Sequence, residues 1–172
     1  MKQVVWHRGV GSGETSVMRS TRSSRILLVG SSGGHLAQLL ALEPVWGKRD
    51  RFWVTFNTPD AVGLLEAERV YWCYHPTNRS IRNLLRNTVL AARILWRERP
   101  SVIVSAGGGA AVPFFWIGRA LGAVTIFVEV IDRLETRTLT GRAVAPVASH
   151  ILVQWPEQLA LYPNARLIGP LL

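Results

Sequence analysis

The sequence predicts an α/β protein built on one doubly wound, mostly parallel sheet, and three observations carry that prediction. Short runs that are apolar throughout recur along residues 26–172, and strands without polar alternation are buried on both faces, as in parallel sheets. Segments of helical period separate those runs, which is the alternation of a doubly wound fold. Two of the runs empty directly into glycines, Ile26-Leu27-Leu28-Val29-Gly30-Ser31-Ser32-Gly33-Gly34-His35 and Val102-Ile103-Val104-Ser105-Ala106-Gly107-Gly108-Gly109. Such turns present bare amides at a helix N-terminus, a natural seat for phosphate. In a Rossmann-like domain of this kind, ligands lie beyond the carboxyl ends of the strands, where both turns fall.

Residues 1–25 are polar, basic and rich in Gly and Ser, without an apolar block. They are expected to form a flexible basic tail rather than a signal peptide, and Met18 is a second candidate for the start. The first strand is expected at 26–30, and its glycine turn opens a helix at 34–42. A strand at 52–56 leads to a helix at 60–67, and a strand at 70–74 to a long helix at 80–97. The second glycine turn joins a strand at 101–105 to a helix at 111–121. Residues 100–118 carry no charge and approach the ~20 residues a bilayer requires. Three consecutive glycines, Pro113 and the closing Arg119 instead read as strand, turn and helix. Strands at 124–128, 150–154 and 166–168 complete the sheet, with helices around 139–147 and at 156–162.

The chain of 172 residues is long enough for one domain with its own core. Its net charge of +9 is carried by arginine, since Lys2 and Lys48 are the only lysines. That excess calls for an anionic partner: nucleic acid, an acidic membrane face or a phosphorylated substrate. Cys73 is the single cysteine, which excludes an internal disulfide and fits a reducing compartment.

The helix at 80–97 concentrates the charge. At 100° per residue, Ile81, Leu84, Leu85, Val89, Ala92, Leu95 and Trp96 share one broad face. Arg79, Arg82, Arg86, Arg93 and Arg97 form a stripe roughly 60° wide beside it. Leu90 and Ile94 flank the arginines on the far side, where a solvated face would be polar. Two readings fit this pattern. One is a helix at a membrane surface, arginines toward lipid phosphates and apolar side chains dipping in; the other is a core helix with a solvated basic face.

Several segments in order resemble a known family: Ser31-Ser32-Gly33-Gly34-His35, Val54-Thr55-Phe56, Cys73-Tyr74-His75-Pro76-Thr77-Asn78-Arg79, and the run Ser105-Ala106-Gly107-Gly108-Gly109-Ala110-Ala111-Val112-Pro113. To these are added Ile126-Phe127-Val128-Glu129 with Asp132-Arg133, Thr138-Leu139-Thr140-Gly141-Arg142, Val153-Gln154-Trp155-Pro156-Glu157, Tyr162-Pro163-Asn164-Ala165 and Gly169-Pro170-Leu171. Together they resemble the bacterial PssD-like polysaccharide-synthesis proteins over essentially all of 26–172. The pattern is also similar to the Alg-fourteen-type subunit of the eukaryotic transferase that adds the second GlcNAc to a dolichol-linked sugar. The resemblance implies the amino-terminal half of a split, inverting GT-B glycosyltransferase acting in exopolysaccharide, capsule or lipid-linked oligosaccharide synthesis. By analogy with single-chain MurG-type enzymes, this half would hold a polyprenyl-pyrophosphate-linked sugar acceptor at the cytoplasmic face of the plasma membrane. A PssE-like (Alg-thirteen-like) partner would bind most of the UDP-sugar donor, and the chain alone would be inactive. The amino-terminal membrane anchor of the eukaryotic relatives is not legible in this sequence. Ser149-His150 stands where many members have an acidic residue, and Ala145 where a tyrosine is common.

Within that frame the candidate site residues take roles. Ser32, Gly33 and Gly34 can bind the acceptor's pyrophosphate or approach the donor phosphate, or serve only as a tight turn. The spacing is neither a GxGxxG fingerprint nor a Walker A. His35 can take the proton of the acceptor hydroxyl, contact the ligand, or act structurally. Glu129, expected at a strand's carboxyl end on the cleft, can orient a sugar hydroxyl or act as base; Arg133 can neutralise phosphate or pair with Glu129. Gly107, Gly108 and Gly109 allow close backbone approach to a ligand. His75, Asn78 and Arg79 can contact the acceptor or a headgroup, with Asn78 or Ser80 capping the basic helix. Arg82, Arg86 and Arg93 are the candidates for membrane or acceptor contact, or form a solvated basic face. Trp155 faces either the partner or the core, and Cys73 is expected in the interior of its strand. No His, Cys and carboxylate cluster has metal-site spacing, and no cofactor is expected. The competing function is a basic nucleic-acid-binding α/β module, for which the chain lacks a recognisable motif.

Overall fold

Among the described residues, seven strands, all parallel, form one sheet in the order β3-β2-β1-β4-β5-β6-β7. They are β1 (Ile26–Val29), β2 (Arg51–Phe56), β3 (Val70–Cys73), β4 (Val102–Ser105), β5 (Val124–Val128), β6 (His150–Val153) and β7 (Arg166–Leu167). The computed structural model describes residues 25–77 and 80–172; the tail expectation and the candidates Asn78 and Arg79 lie outside the described residues. The order steps outward from β1 to β3 and then returns beyond β1 to β4, so the switch point falls between β1 and β4. Right-handed crossovers therefore place the helices of the two halves on opposite faces.

One face carries α1 (Gly34–Ala41), the four-residue α2 (Glu43–Trp46) and α3 (Pro59–Leu64). Its core joins Leu28, Leu36, Leu39, Trp46, Trp53 and Val104. The other face carries α4 (Ile81–Glu98), α5 (Ala111–Ala120) and α6 (Leu139–Val144). There Leu27, Val29, Phe52, Phe114, Phe115 and Phe127 are completely buried. Alternate residues of β1 thus feed two cores, which is why the strand is apolar throughout.

The expected elements recur with shifts of up to three residues at their ends, and three differences stand out. The helix expected around 139–147 stops at Val144, and Ala145–Val147 tightens into a 3-10 turn at Pro146, whose missing N–H breaks the ladder. The one expected at 156–162 is also a 3-10 turn, Pro156–Ala160. α2, which the periodicity did not announce, is too short for a period and is started by Pro44.

The largest correction concerns α4, whose orientation is the reverse of what its apolar periodicity suggests. Its buried residues are Asn83, Asn87, Ala91, Ile94, Leu95 and Glu98. Ile81 and Trp96 are 75 % and 67 % exposed, and Leu84, Leu85 and Val89 are exposed as well. Leu90 and Ile94, read as flanking the arginines at the surface, pack against the core or lie within it. The polar side chains face inward because each meets backbone or charge there. Asn83 Nδ2 donates to the Pro76 carbonyl at 2.9 Å, and Asn87 grips Tyr74. Glu98 accepts from Tyr71 at 2.5 Å and pairs with Arg25 at 2.6 Å. Buried polar groups with partners are tolerated; small Ala91 leaves room for the large side chains of α5.

Candidate functional site

Both glycine turns lie at the carboxyl edge of the sheet, on neighbouring strands β1 and β4. Ser105, fully buried, accepts from the Gly107 amide at 3.0 Å and sets the second turn. Gly107 and Gly108 have φ of 125° and 92°, a region L side chains rarely enter. Their hydrogens also face neighbouring chain. A Cβ on Gly107 would lie 2.9 Å from the His35 ring, and one on Gly108 2.6 Å from the Ser31 amide. On Gly109 it would lie 3.0 Å from Thr77. The close approach expected for these three glycines is therefore made to the first turn and to the loop before α4. Gly33 (φ 71°) and Gly34 differ: a Cβ at either meets nothing within 4 Å, so the open wall of the cleft is the first turn.

The first turn already holds an anion. The Gly33 amide donates to Asp60 Oδ2, at the start of α3, at 3.1 Å. The Thr58 hydroxyl and then that amide hold the Asp60 carboxyl below the usual carboxylate range. Helix α1 has no side-chain cap and no acidic residue in its first turn, so Asp60 supplies the negative charge its N-terminus favours.

His35 stands at the start of α1 with its ring against Gly107. Burial lowers its pKa below the ordinary imidazole value, while Asp132 and Glu129 act in the opposite sense. The neutral ring is thus the prevailing form near neutrality, the form a proton acceptor needs.

Glu129 does not border open cleft, contrary to the expectation from its place after β5. It is completely buried and accepts from the Val130 amide at 3.1 Å, from Thr138 Oγ1 at 3.0 Å, from the Thr138 amide at 3.4 Å and from the Tyr162 hydroxyl. Desolvation and that bond push the Tyr162 phenol well above its ordinary value. Glu129 makes no ion pair with Arg133 among the described residues; the Arg133 side chain is exposed and its carbonyl accepts from Gln158 at 2.9 Å. Side-chain amides brace the same corner. Gln154 Nε2 donates to Gln38 Oε1 and to the Glu129 carbonyl, both at 2.9 Å, and Gln154 Oε1 accepts from the Leu171 amide at 2.9 Å.

The remaining candidates lie around α4. His75 is exposed and its ring sits 5.2 Å from that of Phe56. Arg82, Arg86 and Arg93 are exposed and pair with no carboxylate among the described residues; Arg86 lies 5.3 Å over the Tyr74 ring. They flank the outward stripe of Ile81, Leu85, Val89, Ala92 and Trp96. Trp116 of α5, 49 % exposed, is on the same face of the sheet. Ser80 caps α4 by accepting from the Asn83 amide at 3.3 Å. Trp155 donates to the Ile131 carbonyl at 3.0 Å with its ring partly exposed. Cys73 is buried, which pushes its thiol up to about 12. Asp60, Thr77 and Gln154 were not singled out as site residues by sequence; the legible signal was Thr58-Pro59-Asp60, a helix start with an acidic first turn.

The family described as oligosaccharide biosynthesis protein Alg14 like matches residues 61–171, more than half of the chain. The chain belongs to the Alg14-like family. Among its relatives, the human protein named UDP-N-acetylglucosamine transferase subunit ALG14 is 25 % identical over 178 residues, covering 86 % of this chain and 82 % of the relative. The Candida albicans protein of that name is 26 % identical over 170 residues, covering 85 % and 77 %. Among solved structures, MurG of Acinetobacter baumannii superposes with a TM-score of 0.65 at 20 % identity, over 78 % of this Alg14-like chain. MnaA of S. aureus, solved with UDP, gives 0.67 at 8 % identity, over 86 % of the chain. The chain spans 42 % of that MurG and 44 % of that MnaA, and its fold is the Rossmann-like half of a GT-B fold. Among the described residues, no helix is long and apolar enough to cross a membrane.

Proposed function

We propose that this Alg14-like chain is the acceptor-side subunit of a two-component, inverting UDP-sugar transferase that works on a polyprenyl-pyrophosphate-linked sugar. The observation that carries the reading is the outward stripe of α4. Large apolar side chains and arginines that pair with no carboxylate among the described residues share one exposed face of a helix that turns Asn83, Asn87 and Glu98 into the protein. A solvated helix has no reason for that arrangement, and an anionic bilayer surface satisfies both halves of it. Each apolar side chain removed from water contributes about 1.5–3 kcal/mol, and each arginine near anionic lipid about 1 kcal/mol. Peripheral attachment at the cytoplasmic face would bring a lipid-linked acceptor to the loop between β3 and α4, which touches Gly109 through Thr77.

At the cleft, the acceptor's diphosphate would engage the amides of Gly33 and Gly34 beside Ser32, with Arg133 supplying charge. His35 accepts the proton of the acceptor hydroxyl as its oxygen bonds to the anomeric carbon and the bond to UDP breaks. The buried Glu129 carboxylate favours the imidazolium so formed, from behind, without touching substrate. A PssE-like partner would supply the donor half of the GT-B cleft; the relatives' designation as transferase subunits supports that reading.

The test is transfer from radiolabelled UDP-GlcNAc to a polyprenyl-diphosphate sugar in anionic vesicles, by the chain alone and with a co-expressed PssE-like protein. Activity only in the mixture is expected. Efficient transfer by the purified chain alone, or salt-sensitive DNA binding without vesicle binding, would overturn the proposal.

A further inference from the structure

We propose that Gln38 and Gln154 form a positioning pair that fixes the rotation of α1 and thereby the stance of His35; the inference rests on the reading of His35 as base. Helix α1 has eight residues and no side-chain cap; Leu36, Leu39 and Leu40 pack it on the core, and the Trp46 indole donates to its Leu39 carbonyl at 2.8 Å. Apolar contacts of that kind are non-directional, and the Trp46 bond holds the second turn of the helix rather than the first, which carries His35. Gln38 supplies a directed side-chain constraint on the turn next to His35. It lies three residues after His35, on the neighbouring turn of the same face, and it is 4 % exposed.

Its partner cannot turn. Gln154 is 1 % exposed, and its amide is committed at both ends. Oε1 accepts from the Leu171 amide, while Nε2 donates to the Glu129 carbonyl and to Gln38 Oε1, each at 2.9 Å. Flipping that amide would set carbonyl against carbonyl at Glu129 and N–H against N–H at Leu171. The node is tied further by Gln158 Oε1, which accepts from the Gln154 backbone N–H at 2.8 Å. Gln38 is thus held to the carboxyl end of β5, at the residue whose carboxylate acts on the His35 ring. The charges acting on that ring, Glu129 and Asp132, keep their effect only while α1 holds its angle.

The experiment uses the complete chain with its partner and compares Gln38→Met, which keeps the length and removes the acceptor, with Gln38→Glu, which keeps an acceptor for Gln154 Nε2. Steady-state transfer is measured together with the NMR titration of the His35 ring. Gln38→Met is expected to lower kcat about tenfold with acceptor KM within about twofold, and to move the His35 resonance and midpoint. Gln38→Glu is expected to keep at least half of the kcat. A Gln38→Met variant with an unmoved His35 titration overturns the proposal, whatever its activity. If that variant does not fold, loss of kcat in Gln38→Glu overturns it instead. Full activity of His35→Ala would remove the base reading, while a moved His35 resonance in Gln38→Met would still support the positioning pair.

Discussion

Asn87 holds the backbone of Tyr74 with both ends of its side-chain amide: Nδ2 donates to the Tyr74 carbonyl and Oδ1 accepts from the Tyr74 amide, each at 2.9 Å. The loop after β3 is thereby fastened to the middle of α4. The same contact decides which side of the helix faces water, because Asn87 lies opposite Leu85, Val89 and Trp96.

Asn87→Leu is therefore expected to destabilise the protein by about 2–4 kcal/mol, since it strands two backbone groups that each cost about 1–3 kcal/mol when unpaired. Chemical denaturation with an unchanged m-value checks it. A loss under 1 kcal/mol would show that the clamp does not set the helix.

The surface stripe predicts a separation of function from fold. Arg82→Glu with Arg86→Glu should release the chain from anionic vesicles, as should Trp96→Ser with Leu85→Ser, and all four sites are exposed, so thermal stability should change little. Co-sedimentation with phosphatidylglycerol vesicles measures it; unchanged retention of both double variants would remove the membrane role of α4.

His35 carries a pH signature. Its folded pKa is depressed by burial, so between the folded and unfolded values the unfolded chain binds more protons. Stability from this group is complete above the unfolded value, about 6.5, and is lost as pH falls through the folded value. Transfer should fall in the same direction as the ring protonates, and His35→Ala should lose that limb and about 10²–10⁴-fold in rate. A wild-type pH profile in His35→Ala would exclude the ring as base.

Asp60 occupies an amide that a diphosphate would use, and like charges repel. Asp60→Asn should tighten binding of an isolated polyprenyl diphosphate several-fold, measured by calorimetry against the wild-type chain. Weaker binding in Asp60→Asn would mean that the carboxylate itself belongs to the ligand site.

Gly34→Ala and Gly107→Ala should behave oppositely. A methyl at Gly34 meets open space at the start of a helix, so stability holds while acceptor KM rises. At Gly107 the methyl meets the His35 ring on a φ of 125°, so stability falls by about 1–3 kcal/mol. Thermal melts beside acceptor titrations separate the two, and a stable Gly107→Ala would contradict the contact.

Strand positions were legible because a strand buried on both faces must be apolar at every residue, as in Leu27-Leu28-Val29. Helix starts were legible where local chemistry sets them, as at Gly33-Gly34 and at Ser80. The likeness of the ordered motifs also identified the family. What the residues alone did not determine was orientation. The 3.6-residue period of α4 locates an apolar stripe but not its target, and burying that stripe would have exposed Asn83, Asn87 and Glu98 while leaving Tyr74, Pro76 and Arg25 without those partners. Nor did position along the chain separate Glu129, sealed by Tyr162 and Thr138, from Gly34, open to the cleft. Sequence by itself determined the α/β alternation and both glycine turns, because these depend on backbone geometry and local burial. Tertiary structure decided which helix face meets water, which glycines pack on protein, and which amide Asp60 fills. Those outcomes depend on hydrogen bonds between residues far apart in the chain, and only the folded packing brings their donors and acceptors within reach.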